Sequence, residues 1–454
     1  MKPQLKMNVE TNKYNNIIKK KYTLTDTVLL GIGGMIGGGI FLFNGVIVKE
    51  IQNYSPLTWL IGFIISLFVS FSYILLSQEY PKSNGGTIYY SYKLIKNKTF
   101  NVIFSILVVI AYTILATVYS LALSNYVCNY YNKPEYSKII AIITIFLCLF
   151  INYFNENKFI SIENISVLMK IVLFLFIIIV GFILSPKTKL VENTISNTIS
   201  EILPSKINNN NLFNINILII GFGVFLTYEG FEMISNVTYK LENKDKNIPL
   251  SYIISICIVG FIYMSTSWVT YKHVGSSLSS STQFSALIHL VQSYGLTTIG
   301  PILVVILCFI SSITAINATL FVNDRILNYF VKSLPEKDTF KFKTFLNSQI
   351  KIPLFKEKRK SAIWIFCILS CILVFAPIII ISYLGSLSFF LVFIVVCFLA
   401  LKLINIKETK KKHIIIFNKK IPYSLSKSIV IISIILCSIG SIFIIYDSIK
   451  KIKN

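Results

Sequence analysis

Eleven apolar runs decide most of what this chain can fold into. They cover residues 24–48, 56–78, 101–127, 137–153, 162–184, 214–238, 250–271, 296–322, 361–380, 383–404 and 426–446. Most have the roughly 18 to 25 residues that a helix needs to cross a bilayer core of about 30 Å. A soluble helical protein would carry polar stripes at helical spacing in such segments, and these runs carry none. Charged residues make up 14% of the 454, against about 25% in an ordinary soluble domain, and they gather between the runs. The first run is too long for a removable signal peptide, follows a polar leader and lacks a small-residue cleavage site. The chain reads as an all-α polytopic membrane protein with about 11 transmembrane helices.

The formal net charge of +24 raises the question of nucleic acid, and its distribution answers it. With the N-terminus inside, 32 of the 43 Lys and Arg fall in cytoplasmic segments, 10 in outer segments, and one, Lys170, within a span. This is the positive-inside pattern that fixes orientation. It predicts a multi-pass protein of the cytoplasmic (plasma) membrane, with residues 1–22 as a cytoplasmic tail. Basic stretches such as 351–360 then face anionic lipid rather than nucleic acid. The eight cysteines contain no CxxC pair, so neither a zinc site nor a disulfide framework is indicated. His273, His289 and His413 are far apart in sequence and read as loop or surface residues. No metal or cofactor is expected.

Two of the runs are built to break. Backbone groups in lipid must be hydrogen-bonded, so a spanning helix stays continuous unless a cavity or other protein covers the break. The first run contains Gly31, Gly33, Gly34, Gly37, Gly38 and Gly39, each costing about 1 kcal/mol in a helix relative to Ala. The sixth contains Gly221, Gly223 and Gly230 beside Glu229 and Glu232. Because the two are five spans apart, a second copy starting at span 6 has the opposite orientation. Interrupted segments at corresponding positions of two halves point to a transporter binding site. The expected organisation is a first five-helix repeat (23–184), an outer loop (185–213), a second repeat (214–404), and a cytoplasmic loop, eleventh helix and short tail (405–454). The glycines also satisfy GxxxG, which permits close helix packing without any break.

A break exposes a helix N-terminus whose unpaired N–H groups attract an anion. Near Gly38, Gly39 and Ile40, backbone donors could hold a substrate carboxylate with no side chain in the way. Carbonyls near Tyr228 and Glu229 could receive an ammonium group. Together they describe a site for a zwitterion. Charges at membrane depth are expensive and usually functional, which singles out Lys170, Glu229 and Glu232 as groups that could exchange a proton. Lys170 has a plainer reading as a lysine that snorkels to the interface. Glu229 and Glu232, three apart, are expected on roughly one helix face.

With these residues in view, the chain resembles amino acid permeases of the amino acid–polyamine–organocation (APC) family. Ile36-Gly37-Gly38-Gly39-Ile40-Phe41 is similar to the family's IGxGIF. Pro81 to Tyr90 is similar to its P-x-x-G-G-x-Y-x-Y, Lys170 stands at its span 5 lysine, and Tyr228-Glu229-Gly230-Phe231-Glu232 lies in span 6. Asn247-Ile248-Pro249, Asn317-Ala318-Thr319, Arg325 and Leu334-Pro335 follow in the family's order. The resemblance covers residues 20 to 335 well and the rest by topology. It implies a leucine transporter-like 5+5 inverted repeat with discontinuous helices 1 and 6, and alternating access. It also implies substrate binding at Ile36 to Gly39 and Tyr228 to Gly230 and proton coupling through Lys170; Glu232, from its depth alone, is a candidate site or gate acid.

Departures accompany the likeness. Lys240 stands where the family usually has Glu and Lys244 where it has Pro; Leu75 replaces an acid before Pro81, and Gly38 replaces a serine. A twelfth span is absent. The leading expectation is a proton-coupled amino acid permease, a symporter rather than an enzyme, with exchange (antiport) or carriage of a polyamine or organic cation as rivals. A membrane-embedded transferase would need catalytic acids or histidines at an interface or in a large outer loop. Segment 185–213 offers only Glu192 and Glu201. A channel would need a repeated pore loop or filter, which the sequence lacks.

Overall fold

The computed structural model describes residues 21–83, 85–152, 156–184, 215–279, 282–333, 349–351, 358–417 and 419–453. Most of the expected tail (1–22), the loop 185–213, Asn84 of the Pro81 motif, Leu334-Pro335 and part of the basic stretch 351–360 lie outside them. Each apolar run coincides with a helix or a broken helix. In chain order these are α1 (Leu24–Met35), α2 (Gly39–Ile51), α3 (Ser55–Glu79), α4 (Gly86–Leu94), α5 (Lys98–Tyr131), α6 (Ser137–Ile151) and α7 (Glu156–Ile183). Then come α8 (Ile215–Val224), α9 (Lys244–Val274), α10 (Ala286–Ser293), α11 (Ile299–Ser333), α12 (Ser361–Leu373), α13 (Ile378–Thr409) and α14 (Tyr423–Lys453). Two antiparallel ribbons join helices: β1 (Gln349–Lys351) with β2 (Lys358–Lys360), and β3 (Ile414–Ile416) with β4 (Lys419–Ile421). Among the described residues, nine helical stretches are long and apolar enough to cross a membrane. One of them runs through both α2 and α3, and the shorter α1 and α12 account for the remaining runs.

Both expected breaks are present. The first helix starts with a capping box, in which Thr23 Oγ1 accepts from the Asp26 amide at 3.2 Å and Asp26 accepts from the Thr23 amide at 2.9 Å. It ends at Met35, Ile36 turns out of helical geometry (φ −78°, ψ 79°), and α2 begins at Gly39. The sixth run gives α8, then short 3-10 turns at Phe225–Tyr228 and Phe231–Asn236, separated by Glu229 in an extended conformation and Gly230 at φ +132°. Only glycine adopts that conformation without strain.

The two breaks cross backbone to backbone. A Cβ on Gly34 would lie 3.0 Å from Gly230 Cα, and one on Gly230 would lie 2.3 Å from the Gly34 carbonyl carbon. Gly37 and Gly38 let the Tyr119 ring and Ala122 of α5 approach. The glycines therefore serve both functions weighed from sequence, interruption and close packing.

Helix α7 shows how the bundle is turned inside out relative to a soluble protein. Glu163, Val167, Lys170 and Phe174 recur at helical spacing and are buried, while Ile165, Leu168, Met169 and Val172 are exposed. An apolar stripe facing outward and ionisable groups facing inward fit a helix whose outer face meets lipid. Together with the long apolar helices, this makes the chain a multi-pass membrane protein.

Candidate functional site

A helix that stops inside a protein leaves its last four carbonyls without intrahelical donors. At the end of α1 the Ile36 amide serves Ile32 O, and side chains from three other helices serve the carbonyls that follow. Lys170 Nζ (α7) donates to Gly33 O at 3.1 Å and to Ile36 O at 2.8 Å. Tyr119 (α5) donates to Gly34 O at 3.3 Å, and Tyr263 (α9) donates to Met35 O at 2.8 Å. The third Lys170 bond goes to Thr314 Oγ1 (α11) at 2.9 Å, and that hydroxyl's own proton is directed to Ser311 O. An ammonium has three donors and no acceptor, so three acceptors match the charged lysine. The snorkelling alternative does not hold: Lys170 is fully buried near the middle of α7.

The start of α2 differs. Its first-turn amides have no side-chain cap at Gly38, and a Cβ on Gly39 would lie 2.7 Å from Thr227 of the second break. Gly34 thus lies against Gly230 and Gly39 against Thr227, while Gly37 and Gly38 face Tyr119 and Ala122 of α5. Tyr263 ties the two breaks together, since its hydroxyl also reaches Thr227 O at 3.0 Å. The Tyr228 hydroxyl donates to Trp59 O at 2.9 Å, and the Tyr263 ring packs on Trp59 and Tyr228 with centroids 4.7 and 5.1 Å away.

The expected shared face of Glu229 and Glu232 is not present, because no helix runs through them. The extended Glu229 and left-turning Gly230 send the two carboxylates to different surroundings. Glu232 closes the turn: one oxygen accepts from the Gly230 amide at 2.7 Å and the other from Tyr112 at 2.8 Å. Glu229 is fully buried, and neither of its carboxylate oxygens has a hydrogen-bond partner. A buried polar group without a partner is rare in a folded protein.

The two ends of the bundle are unlike. At the face where Tyr22 lies, the chain before α1 is stitched to the chain after the second break. Tyr22 N donates to Lys240 O at 2.9 Å and Glu242 N to Tyr22 O at 3.1 Å. Lys240 Nζ sits 5.3 Å from the Tyr22 ring centroid and 5.5 Å from that of Tyr239. Arg325 stacks on Phe321 at 4.0 Å and donates to Asn236 O and the Tyr239 hydroxyl. Lys244 donates to Pro81 O and Tyr239 O at 2.9 and 3.2 Å. The lysines that depart from the family pattern are thus held at this face by cation–π contacts and backbone carbonyls. At the opposite face, where Gln52 lies, a cavity of about 320 Å³ separates α2, α8 and α13, reaching Leu42 and Val224 one turn from the breaks.

Sequence reasoning missed several of these groups. Tyr119, Tyr263, Trp59 and Thr314 lie in continuous apolar runs with nothing local to mark them. Glu163 had a signal: an acid seven residues before Lys170 lies on the same helix face. His273 also differs from expectation, being buried at the end of α9 with Nε2 2.8 Å from Gly181 O.

Comparison with known proteins adds a family. The model described as amino acid permease matches residues 22–451. An uncharacterized protein of Methanocaldococcus jannaschii is 28% identical over 307 residues, 66% of each chain. The inner membrane transport protein YbaT of Escherichia coli is 25% identical over 325 residues, 69% of each chain. The aspartate-proton symporter of Bacillus subtilis is 24% identical over 256 residues, 54% of this chain and 46% of that protein. The chain thus spans about two thirds of the first two relatives and under half of the third.

Proposed function

We propose that this chain, which belongs to the amino acid permease family, carries an amino acid across the plasma membrane by alternating access, coupled to a proton held on Lys170. The observation that carries the reading is the match of three lysine donors to three acceptors at the first break. Loss of one proton leaves an amine with two N–H groups. One of the Gly33, Ile36 and Thr314 oxygens then loses its donor, and the charge that strengthens all three bonds disappears. The protonation state of Lys170 would thereby bias the geometry of the break itself. The naming of one relative as a proton symporter supports the same coupling ion.

The substrate carboxylate is read onto the amides of Gly38, Gly39 and Ile40, with Ile36 and Gly37 lining the turn before them. The ammonium is read onto Tyr228, Glu229 and Gly230. Glu232 is assigned to holding the Gly230 turn. The five-helix repeats 23–184 and 214–404 each begin with a broken helix, which is the arrangement alternating access uses. The Lys and Arg asymmetry supports a cytoplasmic Tyr22 face. The closed Tyr22 face and the cavity opposite then correspond to an outward-facing state. The unpaired Glu229 carboxylate favours a second reading, in which the substrate is an amine or polyamine without a carboxylate.

Uptake of radiolabelled amino acids and polyamines by proteoliposomes tests both readings. Concentrative amino acid uptake under a proton gradient, with none under sodium alone, is the expected result. Uptake of amines but no amino acid would select the second reading. Uptake indifferent to both gradients would make the protein an exchanger or facilitator.

A further inference from the structure

We infer that Glu163 is a second proton-carrying group, standing between Lys170 and the cytoplasm. The inference rests on the proton-coupled reading above and adds the route by which the proton leaves.

The geometry converges on Gly33. Its carbonyl accepts a hydrogen bond from Lys170, and a Cβ at Gly33 would sit 2.6 Å from Glu163 Oε1. One residue therefore touches both ionisable side chains, and its missing side chain makes the room that Glu163 occupies. Glu163 lies two turns before Lys170 on α7, about 10 Å along the axis toward the Tyr22 face. It is 4% exposed, and its Oε1 has no hydrogen-bond partner. No structural bond of the fold uses that oxygen, so its burial calls for another explanation.

Glu163 also lines a small cavity with Tyr22, Asp26, Thr27 and Asn164, with room for about one water molecule. Asn164 Nδ2 donates to Asp26 Oδ1 at 2.7 Å, so the cavity ends on a half-buried carboxylate at the start of α1. The charged or titratable groups around Glu163 are Lys170 on its own helix, Asp26 on α1, Tyr22 just before α1 and the Cys148 thiol of α6. On α11, Arg325 stands behind Phe321 in the cavity wall. The charged side chains of α9 lie only at its ends, Lys244 to Lys246 and Lys272.

The step is a proton transfer. As the break rearranges and admits water, the Lys170 ammonium gives a proton to a water and that water gives one to the Glu163 carboxylate, leaving a neutral amine and a carboxylic acid. When the Tyr22 face opens, the acid gives that proton to water and returns to carboxylate. Nothing is oxidised or reduced.

The test uses the full chain in proteoliposomes, comparing wild type, Glu163→Gln and Glu163→Asp. Proton-driven accumulation and substrate counterflow are measured in each over a range of pH. The glutamine variant, which cannot carry a proton, is expected to lose accumulation by about tenfold or more, with a much smaller loss of counterflow. The aspartate variant is expected to recover part of the accumulation. As a second readout on wild-type protein, infrared difference spectra are expected to contain a substrate-dependent carboxyl band that Glu163→Gln removes. Wild-type accumulation in Glu163→Gln, or no such band, would overturn the assignment while leaving proton coupling intact. Absence of proton-driven uptake in the wild type itself would overturn both.

Discussion

Lys170 Nζ lies 2.8 Å from the carbonyl oxygen of Ile36, the first residue of the first break. The bond joins a helix from the middle of the chain to the point where the first helix stops. A charge so placed is costly in a membrane protein, and the three acceptors around it offset that cost only while the group is an ammonium.

Replacing Lys170 separates charge from proton exchange. Lys170→Ala is expected to reduce proton-driven accumulation by about tenfold or more and to flatten its pH dependence. Lys170→Arg keeps the charge on a group that does not deprotonate in proteins, so it is expected to be just as defective in accumulation. Initial uptake rates across a pH series check both; recovery of pH-dependent uptake by the arginine variant would contradict the coupling role.

The Gly34–Gly230 crossing predicts a stability effect. Alanine at either position forces atoms into backbone, and at Gly230 it also meets a positive φ. Each is expected to destabilise by about 1–3 kcal/mol, read as a lower melting temperature in detergent. Gly223→Ala serves as the control, since its added Cβ would meet only Ile444 at 4.0 Å. It should melt close to wild type.

Glu229 and Glu232 should fail differently. Glu232 accepts from two donors through two oxygens, and a glutamine would turn its NH₂ toward one of them. Glu232→Gln is therefore expected to lower thermal stability whether or not substrate is present. Glu229 has no such partners, and Glu229→Gln is expected to fold normally and to weaken substrate binding by about tenfold or more. Calorimetric titration and melting curves separate the two outcomes.

Closure of the Tyr22 face depends on Lys240 lying over two rings. Lys240→Ala should remove about 0.5–1 kcal/mol of cation–π stabilisation and loosen the Tyr22–Leu241 bridge. Hydrogen exchange at the amides of Tyr22 and Glu242 is expected to speed up, with little change at the crossing of the breaks.

Much of this was legible in the sequence because lipid removes options. Apolar length gave the helices, and the glycine runs gave the two interruptions, since few other residues permit a break inside a membrane. The contacts of Gly34 with Gly230 and of Gly39 with Thr227 join the two interruptions that the glycines mark. Side-chain partners were harder to read. Tyr263 and Thr314 reach the break from spans whose apolar character hides a single hydroxyl. The paired reading of Glu229 and Glu232 failed because helical spacing was assumed across Gly230, whose φ of +132° reverses the chain between them. Lys240 and Lys244 stand in sequence only as departures from the family pattern; their contacts with aromatic rings and carbonyls come from distant segments that no local pattern marks.

The central claim is that a proton moves with the substrate through Lys170. Its most direct test is a pH-sensitive dye trapped in proteoliposomes with no imposed gradient, followed as substrate is added outside. Acidification of the lumen that tracks substrate influx is expected in wild type and is expected to vanish in Lys170→Ala. Substrate influx without any change in internal pH would contradict it.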